Sequence, residues 1–333
     1  MPPRLCLLPA VLATLGLGLL PARGDDKTEI KTYTDPADAG PDFEIQGEFT
    51  GEIRASRGPR KVGVQVIALG DGKFQAVLYE GGLPGDGWDR KTKRQGDGEF
   101  KDGVAVFKGD EGSGRVQDQV LTLSDSSGNS VGRLQRVDRE SPTLGMEPPE
   151  GAVVLFDGSS ADAFEGGRLT DDGLLMQGVT SKQTFGDCKL HLEFRTPFMP
   201  AARGQARGNS GCYLQGRYEV QILDSFGLEG KDNECGGIYS IRSPDQNMCL
   251  PPLAWQTYDI DYTAARYDES GNKASNARMT VRHNGVMIHE RVELPHVTTA
   301  APVAEGAEKG PLFLQDHGNP VRFRNIWLVE LKE

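Results

Sequence analysis

Apolar residues in this chain recur at every second position in short runs, and no stretch keeps the 3.6-residue apolar period of a helix over three turns. The runs are separated by turn-forming residues, which 43 Gly and 20 Pro supply in quantity. Val62–Leu69 and Phe74–Tyr79 flank Gly70-Asp71-Gly72, and Arg278–His283 and Val286–Arg291 flank Asn284-Gly285. Both spacings signal hairpins, because these residues tolerate the positive φ of a tight turn. A chain built this way is all-β.

The first 24 residues stand apart. Arg4 precedes an apolar run from Leu5 to Leu20, and Ala22-Arg23-Gly24 ends it with a small-x-small step. This is a signal-peptide pattern. A membrane anchor is the weaker reading, because the run is short and contains Pro9, Gly16 and Gly18. Export to the periplasm or the exterior is therefore expected, without membrane insertion after cleavage. Cleavage removes Arg4 and Arg23 and takes the net charge from −11 to −13. That acidity argues against a nucleic-acid partner and allows a neutral one.

Three further segments follow. Residues 25–140 read as a small N-terminal β module. Ser141–Glu150 reads as a Pro-rich linker, because its prolines disfavour both helix and central strand. From Gly151 to Glu333, strand candidates at Leu190–Arg195, Tyr213–Leu223, Thr257–Tyr262, Arg278–His283, Val286–Arg291, Leu312–His317 and Val321–Leu331 imply an antiparallel sandwich or jelly roll. Four cysteines remain after cleavage, and Cys235 and Cys249 bracket a short Gly-, Pro- and Asn-containing loop that a disulfide would staple.

Strand parity carries the functional signal. His191, Glu193 and Arg195 share one face of their strand, Glu219 and Gln221 one face of theirs, and Gln315 and His317 one side of a third. A wet sheet face accounts for any one of these, but three at matched parity point to a polar groove. Asn209-Ser210-Gly211 either makes a turn or offers amides to a ligand oxygen. Trp255 is either a sugar-stacking platform or a core residue. The His289–Glu293 segment fails as a zinc motif, since it ends in Glu and lies in a strand, so His283, His289 and His296 are expected to be exposed. No phosphate-binding loop, nucleophile elbow or dinucleotide fingerprint is present.

Four segments, Arg207–Gly211 (RGNSG), Gly216–Asp224 (GRYEVQILD), Trp255–Ile260 (WQTYDI) and Leu314–Ile326 (LQDHGNPVRFRNI), resemble the 3-keto-disaccharide hydrolase domain family, secreted bacterial proteins with a concanavalin A-like jelly roll. The resemblance spans Gly151 to the C-terminus. It implies a glycoside-cleaving hydrolase acting on 3-keto-disaccharides, with a small carbohydrate as partner. Glu219 is then a base, Arg195 an enolate stabiliser and His317 an acid, with Glu193, Asn209, Gln221, Asp224, Trp255 and Gln315 binding substrate. Glu219, Gln221 and Asp224 also echo the three-acid signature of glucanases. The middle acid is Gln here and the last is one methylene shorter. By strand parity Asp224 falls on the opposite side from Glu219 unless a bulge intervenes, which puts the two-carboxylate mechanism in doubt. A divalent ion, calcium or manganese, held by Glu219, Asp224 and His317 is the alternative use of these groups. A lectin-like binding protein without catalysis is the competing class.

Overall fold

The computed structural model describes residues 30–332, so the expected signal segment lies outside the described residues. The N-terminal module is a closed barrel of eight antiparallel strands: β1 (Gly47–Ala55), β2 (Gly58–Gly70), β3 (Lys73–Glu80), β4 (Lys93–Lys101), β5 (Val104–Gly109), β6 (Gly112–Gln117), β7 (Val120–Asp125) and β8 (Ser130–Val137), with β1 closing on β8. Asp71 and Gly72 both take positive φ (54° and 69°) at the β2–β3 turn, as that hairpin requires. Closure removes the unpaired edges that a short open sheet would expose.

The second domain is a sandwich of two antiparallel sheets. Its strands are β9 (Val153–Phe156), β10 (Phe164–Glu165), β11 (Leu175–Met176), β12 (Val179–Phe185), β13 (Cys188–Arg195), β14 (Ser210–Leu214), β15 (Tyr218–Ile222), β16 (Gln256–Thr263), β17 (Arg266–Tyr267), β18 (Lys273–Ser275), β19 (Ala277–His283), β20 (Val286–Leu294), β21 (Gly310–Leu314) and β22 (Arg322–Glu330). A five-stranded sheet runs β10-β12-β21-β14-β15. A seven-stranded sheet runs β11-β22-β13-β16-β19-β20, with β9 added to β22. β17 and β18 form a separate ribbon.

Alternation decides what each sheet buries. Leu190, Leu192 and Phe194 of β13 and Tyr218, Val220 and Ile222 of β15 enter the same core between the sheets. Each such fully buried apolar side chain contributes about 1.5–3 kcal/mol relative to exposure. His191, Glu193 and Arg195 therefore lie on the outer face of one sheet, and Glu219 and Gln221 on the outer face of the other.

Two strand boundaries differ from expectation. Tyr213–Leu223 is two strands, because Gln215 and Gly216 (φ 55° and 63°) make a tight turn inside it. β21 ends at Leu314, so Gln315 and His317 belong to a loop, although Gln315 N still donates to Gly211 O at 2.9 Å. The Asn284-Gly285 hairpin (φ 51° and 76°) forms as read.

Residues 141–146 are a strap rather than a free linker. Ser141 and Thr143 bond the Thr257 hydroxyl at 2.6 and 2.9 Å, and Thr143 Oγ1 donates to Asp259 Oδ2 at 2.7 Å. Gly145 N donates to Glu193 Oε1 at 2.6 Å, and Trp327 Nε1 donates to Met146 O at 3.2 Å. The polar outer face of the seven-stranded sheet supplies the partners that the Pro-rich segment lacks within itself. The domains also meet directly: Phe198 and Leu253 complete the barrel's core, and Phe226 packs with Ile67, Val77 and Tyr79. Among the described residues no helix is long and apolar enough to cross a membrane.

Candidate active site

On the outer face of the five-stranded sheet, β14 and β15 pair so that Tyr213 stands opposite Glu219 and Gly211 opposite Gln221. Glu219 is 2% exposed. Burial pushes its carboxyl up to about 8, opposed only by the Tyr213 hydroxyl beside it. No salt bridge reaches it from the described residues. Gln315 Nε2 donates to Tyr213 Oη at 3.1 Å, so the loop after β21 joins this patch.

Three amides complete the patch. Gln221 Nε2 donates to Gln205 Oε1 at 3.1 Å, and Asn209 Nδ2 donates to the same oxygen at 3.1 Å. That leaves Gln221 Oε1 and Asn209 Oδ1 buried without a hydrogen-bond partner among the described residues. Buried acceptors in that condition are costly unless something donates to them, and sugar hydroxyls are suited to it. Asn209 N donates to Asn319 Oδ1 at 2.8 Å, which docks the loop carrying the exposed His317. The outer edge of β15 is covered by residues 236–239 and by Thr298, whose hydroxyl accepts from Glu219 N at 3.0 Å.

Of the residues expected in one groove, Glu219, Gln221, Asn209 and Gln315 come together, with His317 on the adjoining loop. Glu193, Arg195 and Trp255 do not join them; they sit beyond the core on the seven-stranded sheet. There Glu193 is fully occupied by Gly145 N, by Asn325 Nδ2 at 2.9 Å and by Arg324 Nε at 2.6 Å. Burial would raise its carboxyl, but hydrogen bonds from His191, Asn325, Arg324 and Gly145 hold it at about 2. Burial likewise opposes a charged His191, yet hydrogen bonds to Asp259 and Glu193 raise its pKa. Trp255 is no open platform, since the Arg324 guanidinium lies 4.1 Å from its ring centre and that of Arg195 5.0 Å.

Asp224 is also withdrawn. Arg207 Nε donates to its Oδ2 at 2.7 Å and Phe226 N to its Oδ1 at 3.3 Å. The metal set of Glu219, Asp224 and His317 is thus not assembled, and no cluster of three or more ligating side chains occurs among the described residues. Cys235 and Cys249 are free buried thiols rather than a disulfide, with Cys235 Sγ 3.3 Å from Tyr258 Oη. Their loop is held instead by bonds such as Asn247 Nδ2 to Ser225 O at 2.7 Å.

The histidines expected at the surface are buried at two of three positions. His283 Nε2 meets Gln256 Oε1 at 2.9 Å and His289 Nε2 meets Gly236 O at 2.7 Å, and burial depresses them to about 3 and about 4. His296 is exposed. Two site residues, Tyr213 and Gln205, escape sequence reading. Tyr213 shares parity with Gly211, which was a legible signal once the 215–216 turn was placed. Gln205 sits in a short 3-10 turn (Gly204–Ala206) that carries no pattern.

Two face-to-face antiparallel sheets make a jelly-roll sandwich that carries a buried carboxyl under amides on one outer face. The sequence profile described as a 3-keto-alpha-glucoside-1,2-lyase-like domain matches residues 151–329, more than half of the chain, and the chain belongs to that family. Among solved structures, it is similar to a Parabacteroides distasonis protein provisionally named a glycosyl hydrolase, at 34% identity and a TM-score of 0.51, over 55% of this chain and 85% of that one. A second structure from that organism, provisionally given the same name, shows 19% identity and a TM-score of 0.40 over 55% of this chain and 95% of that one. No curated protein matches the chain.

Proposed function

We propose that the protein is exported and cleaves 3-keto-glycosides of the disaccharide type, with Glu219 as the base that starts the reaction. The observation that carries this reading is a buried carboxyl with no counter-cation among the described residues, whose pKa of about 8 lets it both hold and accept a proton near neutral pH. A ketone at C3 of a glycoside acidifies the C2 proton. Glu219 takes that proton, and the electron pair it leaves is shared with the C3 oxygen as an enolate. The enolate then re-forms the ketone as C1=C2 develops and the C1–O bond breaks. The leaving oxygen takes a proton from His317. Water adding across C1=C2 would complete a net hydrolysis, whereas stopping before it gives the lyase outcome named in the family's description.

The enolate-stabilising role once expected of Arg195 falls to amide donors in the patch, Gln205 and Gln315. Gln221 Oε1 and Asn209 Oδ1 accept from sugar hydroxyls. An ordinary retaining mechanism needs a second carboxyl about 5–5.5 Å away, and the candidate for it, Asp224, is tied to Arg207. The test is product formation from a 3-keto-disaccharide by wild type, Glu219→Gln and His317→Ala. We expect Glu219→Gln to lose about 10²–10⁴-fold in turnover, the usual worth of a positioned base. Near-wild-type rates in that variant, or saturable sugar binding with no product from wild type, would overturn the reading, the latter in favour of a lectin-like role.

A further inference from the structure

The barrel lies outside the family match, and its two ends differ. Eight strands enclose a space that side chains can just fill, or that can hold one small ligand. At one end the inward positions carry Phe49, Val66, Phe74, Val116 and Leu134, which pack into a core. Toward the other end the inward positions shrink to Ala76 on β3, Gly96 on β4 and Gly112 and Gly114 on β6. A cavity of about 730 Å³ remains there, walled by Val64, Leu78, Phe107, Leu121 and Leu123. Small-molecule sites occupy about 300–1,000 Å³ and are mostly apolar with a few placed polar groups. Ala76, Leu78 and Leu123 point inward yet stay partly exposed, so apolar surface faces this space.

The polar groups are at the rim. Arg60 and Arg94 both line the cavity and share inward parity with Val62 and Gly96. They hold the nearly buried Glu80 between them at 3.3 and 3.2 Å, and Arg94 also reaches Glu111 at 3.3 Å. This pairing fixes the two guanidinium groups at the mouth and leaves further N–H donors on each. Glu229 of the second domain, paired with Lys93, lines the same mouth, so both domains build it.

We propose that the barrel binds one small amphipathic molecule, with an apolar body between Val64, Leu78, Phe107 and Leu123 and an anionic, oxygen-bearing head at Arg60 and Arg94. This site is independent of the Glu219 chemistry. The probe is 8-anilinonaphthalene-1-sulfonate, titrated into the whole protein by fluorescence and calorimetry. Expected are saturable one-to-one binding, at least tenfold weakening by Ala76→Trp, which fills the cavity, and by Leu123→Asp, and a several-fold loss in Arg60→Ala. Val106→Ser, on the barrel's exterior, should leave binding unchanged. Absence of saturable binding, unchanged affinity in whichever cavity variants keep the wild-type circular dichroism, or loss of binding in Val106→Ser would overturn the proposal.

Discussion

From its position opposite Tyr213, the Glu219 carboxyl leans over Gly211, where a β-carbon would fall 2.2 Å from Oε1. The patch therefore depends on a missing side chain as much as on those present. Gly211→Ala should push Glu219 off its seat and lower turnover at least tenfold, at a stability cost of about 1–3 kcal/mol. Steady-state kinetics beside denaturant melts check this, and unchanged kcat would show that the position of Glu219 is not critical.

The pH dependence of turnover follows from the same burial. A base works only when ionised, so the rate should rise with pH and reach half its plateau near pH 8. At pH 6 it should stand at about one-hundredth of the plateau, one factor of ten per pH unit. A pH–rate profile of wild type measures it, and a flat profile from pH 5 to 8 would speak against a raised carboxyl.

Stability should carry the opposite trend. In the unfolded chain Glu219 ionises near its ordinary value of 4.5, while the folded protein keeps the proton up to about 8. The folded state thus holds the extra proton across that window, and stability falls as pH rises through it. The penalty is complete above pH 8 and is a few kcal/mol at most, at about 1.4 kcal/mol per pH unit. Glu219→Gln should therefore be more stable than wild type at pH 9 and close to it at pH 4, as urea melts would read.

Arg195 and Trp255 lie on the sheet that does not carry Glu219. Arg195→Ala and Trp255→Ala should keep turnover within about twofold, with Trp255→Ala losing about 0.5–2 kcal/mol of stability through its cation–π contact with Arg324. A hundredfold loss of activity in either one would relocate the site.

Glu193 anchors the strap over the seven-stranded sheet. Its lowered pKa gives stability that is present above pH 4.5 and lost as pH falls through about 2. Glu193→Gln should cost about 2 kcal/mol at pH 7 by leaving Arg324 and its neighbours unpaired, and should flatten the acid side of the stability curve. Melts between pH 2 and 7 test both features.

The alternation of Leu190, Leu192 and Phe194 against His191, Glu193 and Arg195 was legible from sequence, as were the hairpins at Gly70-Asp71-Gly72 and Asn284-Gly285. Parity within a strand, however, says only which residues share a face. It does not say which sheet the strand joins, and that is why Glu193 and Glu219 read as neighbours when the core separates them. Barrel closure was hidden for the same reason, since the β1–β8 pairing is non-local. His283 and His289 read as exposed because their partners, the Gln256 side chain and the Gly236 carbonyl, come from distant segments.

Proton removal from C2 by Glu219 is most directly tested with a 3-keto-disaccharide carrying deuterium at C2. At pH 8 the account predicts a primary isotope effect on kcat of about 2 or more, with turnover lowered about 10²–10⁴-fold in Glu219→Gln. Cleavage with no isotope effect, at a rate that Glu219→Gln retains, would contradict it.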